Sequence, residues 1–298
     1  MVEFFQNIIA GLETGSLYAL AALGLVLIFR TSDVINFAQG EMAMFSSFMA
    51  LTIWQHQMPY PVAFIGAILF AVALGFLVER IFIRPASKAN LVSKMIITLG
   101  LIMIFSGLAT SIFGTDSHFF RKAITAENFN VGGVIIQPNA LFIIAITLLV
   151  MGILFYVIKK TMFGIAIRAT AQSEKTARLM GVNVSKVYSM SWIIATVLGA
   201  IAGVLIAPTT NISTGMMADV HLKSFIAAVL GGFGSFIGPV VGSFIGPVVG
   251  GFIIGVFDNL VGYYISLKWK TVIVYGLLIV ILIVKPTGLF GKVHRKKV

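Results

Sequence analysis

Residues 5–29 read FQNIIAGLETGSLYALAALGLVLIF, 25 residues with one charged side chain, Glu13. As a helix such a run is about 37 Å long, and the hydrocarbon core of a bilayer is about 30 Å thick. Similar apolar runs recur outward from it at about 34–54, 61–83, 95–115, 139–158 and 188–208. A shorter one at 271–284 must borrow flanking residues to cross. Over all 298 residues 59% are apolar and 10% charged, with a mean hydropathy of +1.04. A soluble domain carries roughly a quarter charged residues, so no water-soluble surface can be made from this composition. The fold class is all-α and integral to the membrane, a polytopic helical bundle. The run at 5–29 has neither a basic leader nor a small-residue cleavage site, so it is expected to be a retained span rather than a signal peptide.

The formal charge of +11 raises the question of nucleic acid, and the placement of the 21 Lys and Arg residues answers it. If the stretch from Arg80 to Lys94 faces the cytoplasm, alternation of spans puts Arg30, the loop 159–187 and the tail from Lys285 on the same side. Sixteen basic residues then lie inside, and five (Arg121, Lys122, Lys223, Lys268, Lys270) lie outside. That asymmetry is the positive-inside pattern, with the N-terminus out and the C-terminus in. It needs no nucleic-acid partner, only membrane lipid.

The apolar block 222–257 is too long for one span and has to begin and end on one face to keep this topology. It reads as a broken-helix hairpin beside about seven full spans. Gly234, Gly238, Gly242, Gly246 and Gly250 recur every fourth residue, with Pro239 and Pro247 among them. Small residues at that spacing let helices approach closely in lipid, and proline frees a carbonyl that neighbours or a water-lined cavity must satisfy. The expectation is two short, tightly packed half-helices. The octapeptide GSFIGPVV at 234–241 is repeated at 242–249. Eight residues advance a helix by about two turns plus 80°, so the extra copy belongs at the bend, as a length variant or as a functional change.

Two stretches lie outside the bilayer. The segment 116–138, with Asp116, Arg121, Lys122, Glu127 and Gly132-Gly133, is expected to be an outer loop. The loop 159–187 favours a helix from about Gly164 to Met180, with Glu174 four residues before Arg178 for helical pairing and Gly181 suited to a C-terminal cap. It is either a docking element or an amphipathic linker at the headgroups.

Among chemistry-bearing residues, His56, His118, His221 and His294 have no metal spacing, and the chain contains no cysteine, HExxH or phosphate-binding GxxxxGK[ST] loop. No bound cofactor is expected, and if the protein's activity consumes ATP, a separate chain must hold the ATP with its Mg²⁺. Ionisable groups inside spans are costly and mark function by default. Glu13 lies between Gly11 and Gly15, which permit close packing. Asn36, Gln39 and Glu41 crowd into seven residues around Gly40. Each fits a substrate pathway or hydrogen bonding between helices. Glu79 is expected to form a local pair with Arg80.

The string VINFAQGE at 34–41 resembles the signature of permease subunits of the branched-chain amino acid ABC importers, and GSLYALAALGLVLIF at 15–29 is similar to the run that precedes it in that family. ERIFIRP at 79–85, IRATAQSEKTARLMGVNVSKV at 167–187 and AVLGGFGS at 228–235 follow in order and spread the resemblance over most of the chain. Glu13 departs from the apolar or small residue of that pattern, and the family pattern holds GSFIGPVV once.

The resemblance implies an ATP-driven, binding-protein-dependent importer permease of the bacterial inner membrane, not itself an enzyme, that alternates between outward and inward openings. Its implied partners are a second permease subunit, related or identical, two cytoplasmic ATPases and an extracytoplasmic substrate-binding protein. It makes 167–187 the segment that holds the coupling helix, with Arg168, Ala171, Glu174, Ala177, Arg178 and Gly181 as the docking residues: charges for orientation, small residues for close seating, glycine for the turn out. Leucine, isoleucine and valine are the implied substrates, with urea, short amides or other amino acids as alternatives. The rival classes are an ion-coupled secondary transporter using Glu13 and Glu41, and an intramembrane enzyme. The latter lacks a histidine within the expected spans.

Overall fold

The computed structural model describes residues 1–232, 240–285 and 288. Eleven α-helices and one β-hairpin occur among them. Helix α1 (Val2–Ser32), α3 (Tyr60–Val78, continued to Ile83), α4 (Leu91–Phe113), α5 (Pro138–Lys160), α8 (Val184–Thr210) and the stretch Phe244–Tyr264 of α10 (Val240–Tyr264) are long and apolar enough to cross a membrane. Helix α2 (Gln39–Gln55), at 17 residues, and α11 (Lys270–Val284), at 15, are shorter. The best apolar stretches of α1 and α8 are 78% buried, whereas those of α3, α4 and α5 are 33%, 22% and 28% buried. A water-soluble chain could not leave so much apolar helix surface uncovered. This is a multi-pass membrane protein.

The described chain divides into two compact units. One holds residues 1–23, 123–159 and 222 onward. In it α10 runs antiparallel to α1 and to α9 (Ala218–Gly231), of which it holds the part from Leu222. A Cβ on Gly11 would lie 2.6 Å from the Val256 Cα, and one on Gly15 would lie 2.9 Å from the Gly251 oxygen. On another side of α10, Gly246 meets Gly231 backbone to backbone, and Gly250 meets Ala227. This unit also carries the hairpin of β1 (Phe129–Val131) and β2 (Val134–Ile136), turned by Gly132 and Gly133 at φ +62° and +89°. The sequence reading had only a loop there.

The other unit holds residues 24–122 and 160–221. Helices α2, α3 and α8 pack around Trp192, Met42, Leu74 and Phe105. Gly75 lets α3 onto α8, where a Cβ would lie 2.7 Å from the Thr196 Oγ1. Gly203 does the same for α8 and α2, against the Ser47 Oγ at 2.6 Å. The Phe48 and Phe113 rings stack at 4.4 Å. A two-way backbone bridge of 2.8 Å joins His118 and Ile212, which follow α4 and α8.

Three expectations are corrected. The run at 34–54 is not helical from its start, because Asn36 folds its side chain onto the Ala38 N–H at 3.1 Å and α2 begins only at Gln39; a local side-chain turn of this kind competes with helix. The block 222–257 is not two short half-helices, since α10 is 25 residues long and continues seven residues beyond it; Pro247 is accommodated within that helix. Gly234, Gly238 and the first octapeptide up to Pro239 lie outside the described residues, as do Lys292 to Lys297 of the tail. The 164–180 helix is split, because Ser173 leaves helical geometry (φ −162°) and caps a new helix by accepting from the Thr176 N–H at 3.2 Å.

Candidate functional site

The segment Asp33–Ala38 opens with a left-handed residue, Asp33 at φ +52°, and runs without helix into Gln39. Thr98 of α4 steadies it with a hydrogen bond to the Ile35 carbonyl at 3.2 Å. Asn36 and Gln39 are buried. Gln39 lies against Gly24, where a Cβ would press on its side chain, and reaches Gly199 at ordinary contact distance. Gly40 sits on His221, where a Cβ would be 2.9 Å from the His221 Cβ. Glu41 is half-buried, and its Oε2 has no hydrogen-bond partner among the described residues; neither has the buried His221 Nδ1. Thus Asn36, Gln39, Gly40 and Glu41 are brought together in one unit. His221, set aside in the sequence for lack of metal spacing, joins them from α9. Glu13 belongs to the other unit, half-buried in α1. One residue on, Thr14 accepts from the Asn259 Nδ2 at 2.8 Å.

Sequence reading missed Asp258, which lies one residue past the block it treated as a hairpin. Asp258 is 1% exposed and meets both Lys223 at 2.9 Å and Lys270 at 2.8 Å, with the Tyr18 hydroxyl donating to it at 3.4 Å. Lys223, read from the sequence as an outer topology charge, is 3% exposed. The available signal was a carboxylate inside an apolar run.

Between α5 and α8 the chain forms α6 (Met162–Gln172) and α7 (Glu174–Leu179). Thr161 caps α6 through the Gly164 N–H at 3.2 Å. In α7 Glu174 holds Arg178 at 2.7 Å and accepts from the Tyr188 hydroxyl of α8 at 2.8 Å, so the short helix is clamped to the long one. Burial alone would raise the Glu174 carboxyl, but the hydrogen bonds from Arg178 and Tyr188 outweigh it and hold the carboxyl below its usual range. Gly181 takes φ +81° to leave the helix, and Val182 N–H closes the cap on the Ala177 carbonyl at 3.0 Å. Arg168 and Ala171 are half-buried. Ala177 is 2% exposed, so its small size serves packing within the unit rather than seating against a partner; Leu179 and Met180 are exposed instead.

Beneath this loop Glu79 is 1% exposed and pairs with Arg84, not Arg80. A π-helical turn at Glu79–Ile83 causes the difference, because its i→i+5 hydrogen bond, Arg84 N–H to Glu79 carbonyl at 2.7 Å, puts residues five apart on one face. Arg84 reaches Glu79 with two nitrogens at 3.1 and 2.9 Å, and Ser189 of α8 donates to the same carboxylate at 2.8 Å. Ser32, Lys94, Arg178 and Tyr188 line a small cavity together with this pair. Asp33 lies nearby, its carboxyl raised by burial against the opposing pull of Lys94 and Arg30.

Comparison with known proteins extends over almost the whole chain. Residues 7–282 match the family described as branched-chain amino acid transport system, permease component. The chain is 32% identical, over 99% of its length and 98% of the relative's, to the high-affinity branched-chain amino acid transport system permease protein LivH of Salmonella typhimurium. It is 31% identical, with the same coverage, to the permease protein BraD of Pseudomonas aeruginosa. The solved structure of PsaBC from Streptococcus pneumoniae in complex with Fab shares the fold, with a TM-score of 0.52 at 14% identity, covering 93% of this chain and 91% of that one. The chain belongs to the permease components of branched-chain amino acid transport systems.

Proposed function

We propose that this chain is the membrane-spanning permease subunit of an ATP-driven importer for leucine, isoleucine and valine in the bacterial inner membrane. It pairs with a second permease, receives substrate from an extracytoplasmic binding protein, and is driven by two cytoplasmic ATPases that hold the ATP and Mg²⁺. The charge asymmetry of the sequence supports an orientation with the N-terminus outside and the α6–α7 loop and the C-terminus inside. The antiparallel course of α9 and α10 agrees with a chain that turns back on itself there before α11. The count of spans is six long helices completed by α2 and α11, with α9 as a partial one.

Near-full-length similarity to LivH carries the reading of function. The clamped α7, with Leu179 and Met180 exposed at its end, supports the place of docking. Glu13, Asn36, Gln39, Gly40 and Glu41 are the pathway residues, and His221 joins them. Alternating access requires two packings of the bundle that ATPase closure biases differently. Because the chain has no cysteine, a single Cys at Leu179 tests the docking directly. It should cross-link to the ATPase when the two are co-expressed, and a Cys at Met103, on the exposed apolar face of α4, should not. Equal cross-linking at both positions, or none at Leu179, refutes the docking assignment.

A further inference from the structure

The cavity beside the Glu79–Arg84 pair has a volume of about 50 Å³, and its charged lining consists of three cations, Arg84, Lys94 and Arg178, and one carboxylate, Glu79. Ser87 and Ser185 add hydroxyls to the wall. All six residues belong to one unit. Glu79 is already spent, since it receives two hydrogen bonds from Arg84 and one from Ser189. Arg84 uses its Nε and Nη2 in that contact and keeps Nη1. Arg178 likewise gives Nε and Nη2 to Glu174 and keeps Nη1. The Lys94 ammonium makes no hydrogen bond or ion pair among the described residues, and Asp33 and Glu174 act on it only from farther away. Neither serine hydroxyl has a partner among the described residues. What the wall has to offer is therefore an ammonium, two guanidinium nitrogens and two hydroxyls.

Such a set suits an anion with several oxygens, because charge-assisted bonds from Lys and Arg to phosphate are strong. Size narrows the choice. A water molecule needs about 10–15 Å³ of such space, so this cavity holds roughly four, as many as the oxygens of one phosphate and too few for a whole amino acid. In the orientation proposed above, the cavity lies at the depth of the inner-leaflet phosphates, where basic pockets between spans take lipid headgroups. Within two turns of Arg84 and Lys94, the exposed Leu77 and Ile81 follow α3, and the exposed Ile96 and Leu99 follow α4. They give acyl chains an apolar surface to run along.

We propose that this cavity binds the phosphate of an anionic phospholipid of the inner leaflet, held by Lys94, the spare nitrogens of Arg84 and Arg178, and the Ser87 hydroxyl. The bound phosphate ties Arg178 of α7 to Lys94 of α4, so that lipid steadies the docking helix. The choice of leaflet rests on the proposed orientation. Binding does not, because a complex in detergent has no sides.

The measurement is native mass spectrometry of the complete permease–ATPase complex in detergent, titrated with phosphatidylglycerol. Wild type should retain one tightly held phosphatidylglycerol per copy of this chain. Phosphatidylcholine should bind more weakly, because its own ammonium meets three cations. Inorganic phosphate at the lipid's concentration should not displace the lipid, since it brings no acyl chains. Lys94→Gln should weaken retention at least ten-fold. Ser87→Leu, which fills the space without changing charge, should do the same and carries the test if Lys94→Gln does not assemble. Arg80→Gln, which removes an exposed cation outside the cavity, should leave retention unchanged. The proposal is overturned if wild type holds no phosphatidylglycerol, if either assembled cavity variant binds it like wild type, or if Arg80→Gln loses as much as Lys94→Gln. Equal binding of phosphatidylcholine also overturns it, as does displacement by inorganic phosphate, which would make this a site for the free ion.

Discussion

Replacing Glu79 by Gln removes one charge from the contact that joins the end of α3 to α8, and the structure sets the size of the effect. The carboxylate is 1% exposed and accepts two hydrogen bonds from Arg84 and one from Ser189. Removing one partner of a fully buried ion pair costs about 3–5 kcal/mol. Here the Arg84 side chain is 29% exposed, so water recovers part of that and the expected loss is about 2–3 kcal/mol. At roughly 2–4 °C per kcal/mol for a chain of this order of size, melting followed by Trp fluorescence in detergent should fall by about 5–10 °C. The double variant Glu79→Met/Arg84→Met should recover more than half of the loss, because neither charge is then left without its partner. A Glu79→Gln melting point within about 1 °C of wild type, or a double variant no better than the single one, refutes the reasoning.

At the α1–α10 seam, Gly255→Leu places a side chain on the Gly15 backbone and should abolish folded protein, whereas Gly107→Leu, which faces open space, should leave the size-exclusion profile unchanged. For the docking element, Glu174→Arg, which unclamps α7 from Tyr188, and Gly181→Trp, at φ +81°, should leave membrane insertion intact but abolish co-purification of the ATPases; normal co-purification of both argues against docking by α7. The lowered Glu174 carboxyl also gives a pH dependence. A group held below its free value stabilises the clamp above the free pKa and loses that contribution as pH falls through the lowered one. Protection of the amides in 174–183, taken relative to the intrinsic exchange rate at each pH, should therefore fall in acid below the usual glutamate range in wild type and show no such step in Glu174→Gln.

Long helices were legible in the sequence because an apolar run in lipid has few alternatives to helix, and α1, α3, α4, α5 and α8 lie where the runs lie. The breaks were harder to read, since each depends on one side chain turning onto its own backbone: Asn36 onto Ala38, Ser173 onto Thr176. Glycine spacing announced close packing on α10. It did not reveal that α10 meets two neighbours, α9 through Gly246 and Gly250 and α1 through Gly251 and Gly255. Of the candidate site, Asn36 to Glu41 could be read from polarity within an apolar run, and Glu174 with Arg178 from helical spacing. His221 could not, because its relation to Gly40 spans 181 positions and exists only in the fold. The π-helical turn that turns Glu79 from Arg80 to Arg84 likewise leaves no mark in spacing, since a four-residue or a five-residue repeat suits the same letters.

The central claim, that this bundle is an ATP-driven amino acid importer, is tested most directly by uptake into proteoliposomes. They would hold the chain, its partner permease and the two ATPases, with leucine-loaded binding protein outside and ATP with Mg²⁺ inside. Leucine should accumulate against its gradient only with ATP and only with the binding protein, and an imposed proton or sodium gradient should not replace either. Uptake by the chain alone on an ion gradient, without ATPases, would contradict the account.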